Sequence, residues 1–247
     1  MFLPIHDENP RRTAPIVTVG LIAVTLVVWF VVQGAGGDAQ LARSICELGM
    51  IPGELTGRAA GEVVPLGNGM ACVVGDHAGW HTVLTSMFLH GDWLHLLDNL
   101  WFLWLFGDNV EDDLGHLPFA AFYLVCGVVA AATQLWIDPG ASVPMVGASG
   151  AISGVMGAYL VRYPHVPVRV VAVLIIFLTT FRVPAVLVLG YWFVLQLLGG
   201  LPQLGASSAG VAFWAHIGGF VAGAAIAFAA GAHRRGMGAT SVLRWPR

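Results

Sequence analysis

Four stretches of the chain, residues 15–32, 118–137, 184–198 and 211–231, contain no Asp, Glu, Lys or Arg. Three of them approach or reach the roughly 20 apolar residues that an α-helix needs to cross the hydrocarbon core of a bilayer. Inside lipid every backbone N–H and C=O must find its partner within the protein, so such segments become helices or closed barrels. Composition agrees: 57% of the 247 residues are hydrophobic and 10% are charged, a balance foreign to soluble domains of this size. The net charge of −3 argues little for a membrane chain, and no basic run points to nucleic acid.

Two further segments complete the pattern. Residues 90–107 are apolar behind a polar start, and residues 149–163 are apolar and small. The expected fold is therefore an all-α, polytopic membrane protein of six transmembrane helices, at about 15–33, 90–107, 118–137, 149–163, 184–199 and 211–231. Residues 1–14 read as a short polar tail and 232–247 as a second one. The polar segment before the first helix and the absence of a small-residue cleavage site argue against a cleaved signal peptide.

Residues 38–80 are polar and glycine-rich, with Glu47, Glu54, Glu62 and Asp76. Apolar patches at Ile45–Ile51 and Val63–Leu66 make this a folded loop on the membrane surface. Val170–Phe181, lying between Arg169 and Arg182, is short for a span. It reads as a re-entrant or interfacial piece, with a seventh span as the alternative.

Arginine placement orients the bundle. With the N-terminus inside, Arg11, Arg12, Arg162, Arg169, Arg182, Arg234, Arg235, Arg244 and Arg247 are cytoplasmic, and only Arg43 and Arg58 lie outside. The positive-inside rule favours this arrangement, with both termini cytoplasmic in the cell membrane. Cys46 and Cys72 then share the outer loop, where a disulfide is chemically possible. The three cysteines show no metal-ligand spacing.

Polar groups within spans are costly and need a reason. Gly147-Ala148-Ser149-Gly150 follows a Pro/Gly/Ser loop (139–144) and opens a helix. Ser149 therefore stands in the first turn, where N–H groups have no helical partner and favour negative charge. A hydroxyl beside such donors is suited to acyl transfer. The alternative is that Gly and Ser serve helix packing. In the sixth span, His216 precedes Gly219 and Gly223, a GxxxG face that matches Gly150 and Gly154 on the fourth. Two such faces bring backbones close, and would bring an imidazole base within reach of Ser149. His95 and Asn99, four apart on one helix face, can both donate toward an oxyanion. A metal site from His90, His95 and Asp98 is the rival reading, although the spacing is not that of HExxH.

Three motifs in order, His95-Leu96-Leu97-Asp98-Asn99, Gly147-Ala148-Ser149-Gly150 and Ala215-His216-Ile217-Gly218-Gly219 with Gly223, fall on the second, fourth and sixth spans. Together they resemble the rhomboid family of intramembrane serine proteases, of bacterial six-helix type, over roughly residues 80–231. The resemblance implies that Ser149 is the nucleophile and His216 its base. It also implies an oxyanion hole from His95, Asn99 and the Ser149 N–H. His90, Gly147, Gly150, Gly219 and Gly223 take supporting roles. The implied partners are single-span or polytopic membrane-protein substrates within the lipid bilayer, with no nucleic acid, cofactor or metal.

Some positions depart from that pattern. Thr82 stands where many members carry arginine. Ser153 stands where some carry an aromatic residue against the histidine, and Asp98 replaces a small residue. Two other functions compete: a silent relative that binds transmembrane clients, and a small transporter. The latter lacks visible internal repeats.

Overall fold

The computed structural model describes residues 2–67, 69–75, 79–174, 177–204 and 211–236. Asp76, residues 175–176 and the tail from 237 onward, with Arg244 and Arg247, lie outside the described residues.

Strand β1 (Phe2–Asp7) precedes helix α1 (Ile16–Val27), which continues as a π-helical turn through Val28–Val32. The following loop folds as α2 (Asp38–Leu48), the short α3 (Pro52–Leu55), a hairpin of β2 (Val63–Gly67) and β3 (Met70–Val73), and α4 (Thr82–Thr85). The longer helices follow: α5 (Trp93–Leu114), α6 (His116–Ile137) and α7 (Ser149–Arg162). Strands β4 (Pro167–Leu174) and β5 (Phe177–Pro184) then lead to α8 (Ala185–Gly200) and α9 (Phe213–Gly236).

Three of these helical segments, His116–Ile137, Ala185–Gln203 and Phe213–Gly231, are long and apolar enough to cross a membrane. Ile16–Val32 is a shorter apolar helix. Helix α7 sits at the centre, with every residue from Ala151 to Tyr159 buried. Phe106, Phe119, Tyr123, Cys126, Val155, Tyr159 and Phe220 belong to the main apolar core around it.

The all-α expectation needs correction, because among the described residues two antiparallel sheets accompany the helices. The 170–181 stretch, expected as a re-entrant or interfacial piece, is not the helix that a seventh span would need. It forms most of the β4–β5 hairpin, and β1 adds to its edge in the order β1-β4-β5. The physical reason is composition. Val, Ile and Thr dominate the run, and their branched side chains suit a pleated surface. Residues 2–7 of the expected tail thus form a sheet strand. Arg169 and Arg182, opposite each other across the hairpin, both hold Glu8, at 2.9 and 2.8 Å.

Helix α5 runs past the expected end at 107 because its acidic last turns have partners. Glu111 accepts the N–H groups of Val17 and Thr18, both at 2.8 Å, and so caps α1 from another helix. Arg11 reaches Asp108 at 3.2 Å, Arg12 reaches Asp112 at 3.2 Å and Arg162 reaches Asp113 at 2.8 Å.

At the other end, the segment between α1 and α5 folds around a disulfide and a small core of its own. Cys46 and Cys72 form a disulfide with Cα atoms 5.6 Å apart. Ile51, Ala59, Val64, Cys72 and Val74 make a small second core. Met50 and Met145 exchange backbone hydrogen bonds of 3.0 and 2.7 Å. That exchange stitches the folded loop to the chain just before Ser149.

Candidate active site

Ser149 is the first residue of α7, which follows the extended loop 138–147. Ala148 O accepts from Ile152 N at 3.0 Å as the helix begins, leaving the N–H groups of the first turn without helical acceptors. Gly147 makes the entry possible, since its φ of +129° is a conformation that residues with a Cβ rarely adopt. A Cβ there would also stand 2.8 Å from His95 Nε2. That ring nitrogen therefore faces the backbone one residue ahead of the Ala148–Ser149 peptide.

Helices α7 and α9 touch backbone to backbone. A Cβ at Gly219 would fall on the carbonyl oxygen of Gly150, and one at Gly223 on that of Gly154. The GxxxG expectation thus holds for these four glycines. Gly157 extends the contact, since a Cβ there would meet the carbonyl of Phe220. The approach sets His216 beside Ser149, with His216 Nε2 2.7 Å from Ser149 Oγ.

Helix α5 supplies the opposite wall. Asp92 caps it by accepting from His95 N at 2.8 Å, which places His95 in its first turn. Gly91 N–H donates to His95 Nδ1 at 3.3 Å. A ring whose Nδ1 accepts carries its proton on Nε2, the nitrogen turned toward Gly147. Asn99, buried one turn on, donates to His95 O at 2.8 Å, which occupies one of its two amide hydrogens.

Ser149, His216, His95, Asn99 and Gly147 line one cavity of about 630 Å³. His90 is fully buried just outside it. Its backbone N–H donates to Gln33 Oε1 at 2.9 Å, and its carbonyl accepts from Gln33 Nε2 at 2.7 Å. The end of the α1 segment is thereby clamped to the start of α5. The His90 ring packs edge-on against His95, with centroids 5.1 Å apart. Asp98 is exposed. Among the described residues no group of three or more His, Cys, Asp or Glu side chains could hold a metal ion, so the rival reading from His90, His95 and Asp98 finds no cluster.

One residue at the site is missed by motif reading. Gln196 on α8 is buried, and its Oε1 lies 2.8 Å from His216 Nδ1. Trp192, one turn earlier, places its ring 6.0 Å from that of His216 at an interplanar angle of 37°. Ser153, where an aromatic residue would reach the histidine, donates instead to Ser149 O at 2.6 Å. The signal for Gln196 was available: it is the only amide in an otherwise apolar helix, and polar groups there need partners. Chemically, the arrangement offers a hydroxyl bonded to an imidazole, with several N–H donors across a shared cavity.

Comparison with known proteins adds the lineage. A family model described as the rhomboid domain matches residues 77–233, which hold all the groups named in the cavity. The chain is 40% identical over 75 residues to Rhomboid-like protein 11, chloroplastic, of Arabidopsis thaliana, covering 30% of this chain and 26% of that one. It is 32% identical over 88 residues to Rhomboid protein 1, mitochondrial, of Saccharomyces cerevisiae, covering 34% and 25%. With RHOMBOID-like protein 6, mitochondrial, of Arabidopsis thaliana, it shares 28% over 168 residues, covering 63% and 53%. The chain thus spans between about a quarter and a half of the length of these relatives. Matched by the family model over more than half its length, this membrane protein belongs to the rhomboid family.

Proposed function

We propose that the chain is an intramembrane serine endopeptidase that cleaves the transmembrane segments of other membrane proteins with a dyad of Ser149 and His216. The observation that carries this reading is the 2.7 Å contact between His216 Nε2 and Ser149 Oγ inside a cavity that donor groups also line. In the first step Ser149 Oγ attacks the scissile carbonyl carbon while its proton passes to His216 Nε2. The negative oxygen that forms receives hydrogen bonds from His95 Nε2–H, the second amide hydrogen of Asn99 and the Ser149 backbone N–H. Collapse of this intermediate breaks the C–N bond, and the leaving amine takes the proton from His216. Water, deprotonated by the same imidazole, then hydrolyses the acyl-enzyme. A reading of this protein as a client binder makes no use of the contact between hydroxyl and imidazole.

In this reading the six helices α1 and α5–α9 all lie in the membrane, the shorter α7 enclosed by its neighbours. Arginine placement supports cytoplasmic termini and an active site toward the outer face of the cell membrane. The named relatives are mitochondrial or chloroplastic proteins, so fractionation of the native host is the test of location.

Function is tested in liposomes with a single-span reporter carrying small residues near its outer end. Wild type should cleave it, indifferent to chelator, and Ser149→Ala and His216→Ala should each lose at least about a thousandfold in kcat. Cleavage by Ser149→Ala at the wild-type rate would remove the dyad from the mechanism.

A further inference from the structure

We propose that Gln196 is a positioning residue for the proposed protease: it selects the tautomer and ring orientation of His216 that leave Nε2 free to take the serine proton. The inference rests on the function proposed above and adds a group to its site.

A neutral imidazole has one N–H and one bare nitrogen, and only the bare one serves as a base. His216 Nε2 faces Ser149 Oγ, so the productive tautomer carries its proton on Nδ1 and needs an acceptor there. Gln196 Oε1 stands at that place, 2.8 Å away. A primary amide can present either end, and the wrong end would point an N–H at Nδ1. That would drive the ring proton to Nε2, where it could only donate to the serine. The second bond of the amide selects the productive end: Gln196 Nε2 donates to Trp192 O, four residues back on α8, at 3.4 Å. Reversal would set the amide oxygen against a carbonyl oxygen.

Gln196 is 8% exposed, so its amide is largely removed from competing solvent. Trp192 lies against the same ring, and ring and amide together define its plane. A neutral acceptor also suits the location. It stabilises the imidazolium that forms during attack, yet needs none of the desolvation that a carboxylate would cost among apolar helices. The same neighbourhood on α7 offers no alternative acceptor in Ser153, whose hydroxyl is turned to Ser149 O.

The experiment compares wild type, Gln196→Met, Gln196→Glu and Ser149→Ala in the reporter assay, with thermal unfolding in detergent alongside. Gln196→Met keeps length and removes the acceptor. It should lower kcat by about 10–100-fold, leave KM within about twofold and leave the unfolding temperature unchanged. Gln196→Glu restores an acceptor and should recover most of kcat, with the desolvation of its carboxylate read as a lower unfolding temperature. The 15N spectrum of histidine-labelled protein, with the His216 signals assigned against His216→Ala, gives a readout separate from turnover. It should show a proton on Nδ1 in wild type and a tautomer mixture in Gln196→Met. Wild-type kcat and an unchanged tautomer in Gln196→Met would overturn the inference, as would equal losses in the Met and Glu variants. Failure of the protease reading shows separately, as a well-folded wild type without cleavage, and the spectrum still decides the role of Gln196.

Discussion

Two helices hold His216 in place, and they do so with different materials. Against α7, helix α9 packs backbone on backbone, with Gly219 and Gly223 lying on the carbonyls of Gly150 and Gly154. Against α8, the contact is made by side chains: Trp192 and Phe193 on Phe220, Trp214 Nε1 donating to Gly200 O at 3.0 Å, and Gln196 on the imidazole. The first contact has no rotatable bonds and fixes where the histidine is. The second consists of rotamers and one amide, and fixes which way the ring faces. Position and orientation of the proposed base are thus separable, and each can be disturbed without the other.

The rigid contact should give the larger effect. Gly223→Val drives two methyl groups into the Gly154 backbone, and neither helix can yield without separating. We expect a loss of about 2–3 kcal/mol or more in reversible unfolding in detergent, with activity falling as the dyad parts. A change within about 0.5 kcal/mol would mean that the two backbones do not meet there. The Gln196→Met variant described above is the counterpart on the α8 side, with turnover lost and stability kept.

The smallest effect sharpens the comparison from the far end of α7. Tyr159 OH donates to Asp7 Oδ2 at 2.7 Å, and Asn109 Nδ2 does so at 3.0 Å. Burial pushes the Asp7 carboxyl up to about 6. A carboxyl raised by folding binds its proton more tightly in the folded state. Its contribution to stability is therefore full below its ordinary value near 4 and fades as pH rises through about 6. Hydrogen-exchange protection of residues 2–7 should fall between pH 4.5 and 7, and Asp7→Asn should remove that dependence. Cleavage at a fixed pH should stay within about twofold in Asp7→Asn, because the α7–α9 backbone contact does not depend on the strand. A larger loss would show that the two ends of α7 are coupled.

Much of this was legible in the amino-acid sequence. Uncharged apolar runs located α1, α6, α8 and α9, since a bilayer leaves few alternatives. Ser149, His216, His95 and Asn99 stood out as polar residues in costly places beside glycines at helix-packing spacing. What was not legible shares a cause: it depends on partners far away in the chain. The 170–181 run is apolar, and periodicity alone does not separate a buried strand from a helix. Its strand partner β1 lies some 165 residues earlier, although the excess of Val, Ile and Thr was a usable hint. Glu111 read as part of a helix-ending acidic cluster, but it caps α1 across 94 residues. Gln196 belongs to no motif; its amide stands out in an apolar helix, but its partner lies across a loop and a helix boundary and is seen only in the folded chain.

The central claim is that Ser149 is a nucleophile made reactive by His216. The most direct test is to treat the purified protein with a fluorophosphonate and locate the adduct by mass spectrometry in wild type, His216→Ala and Ser149→Ala. A single adduct on the peptide containing Ser149, present in wild type and lost in both variants, is the predicted result. Labelling that ignores His216, or well-folded wild type that takes up no probe, would contradict the account.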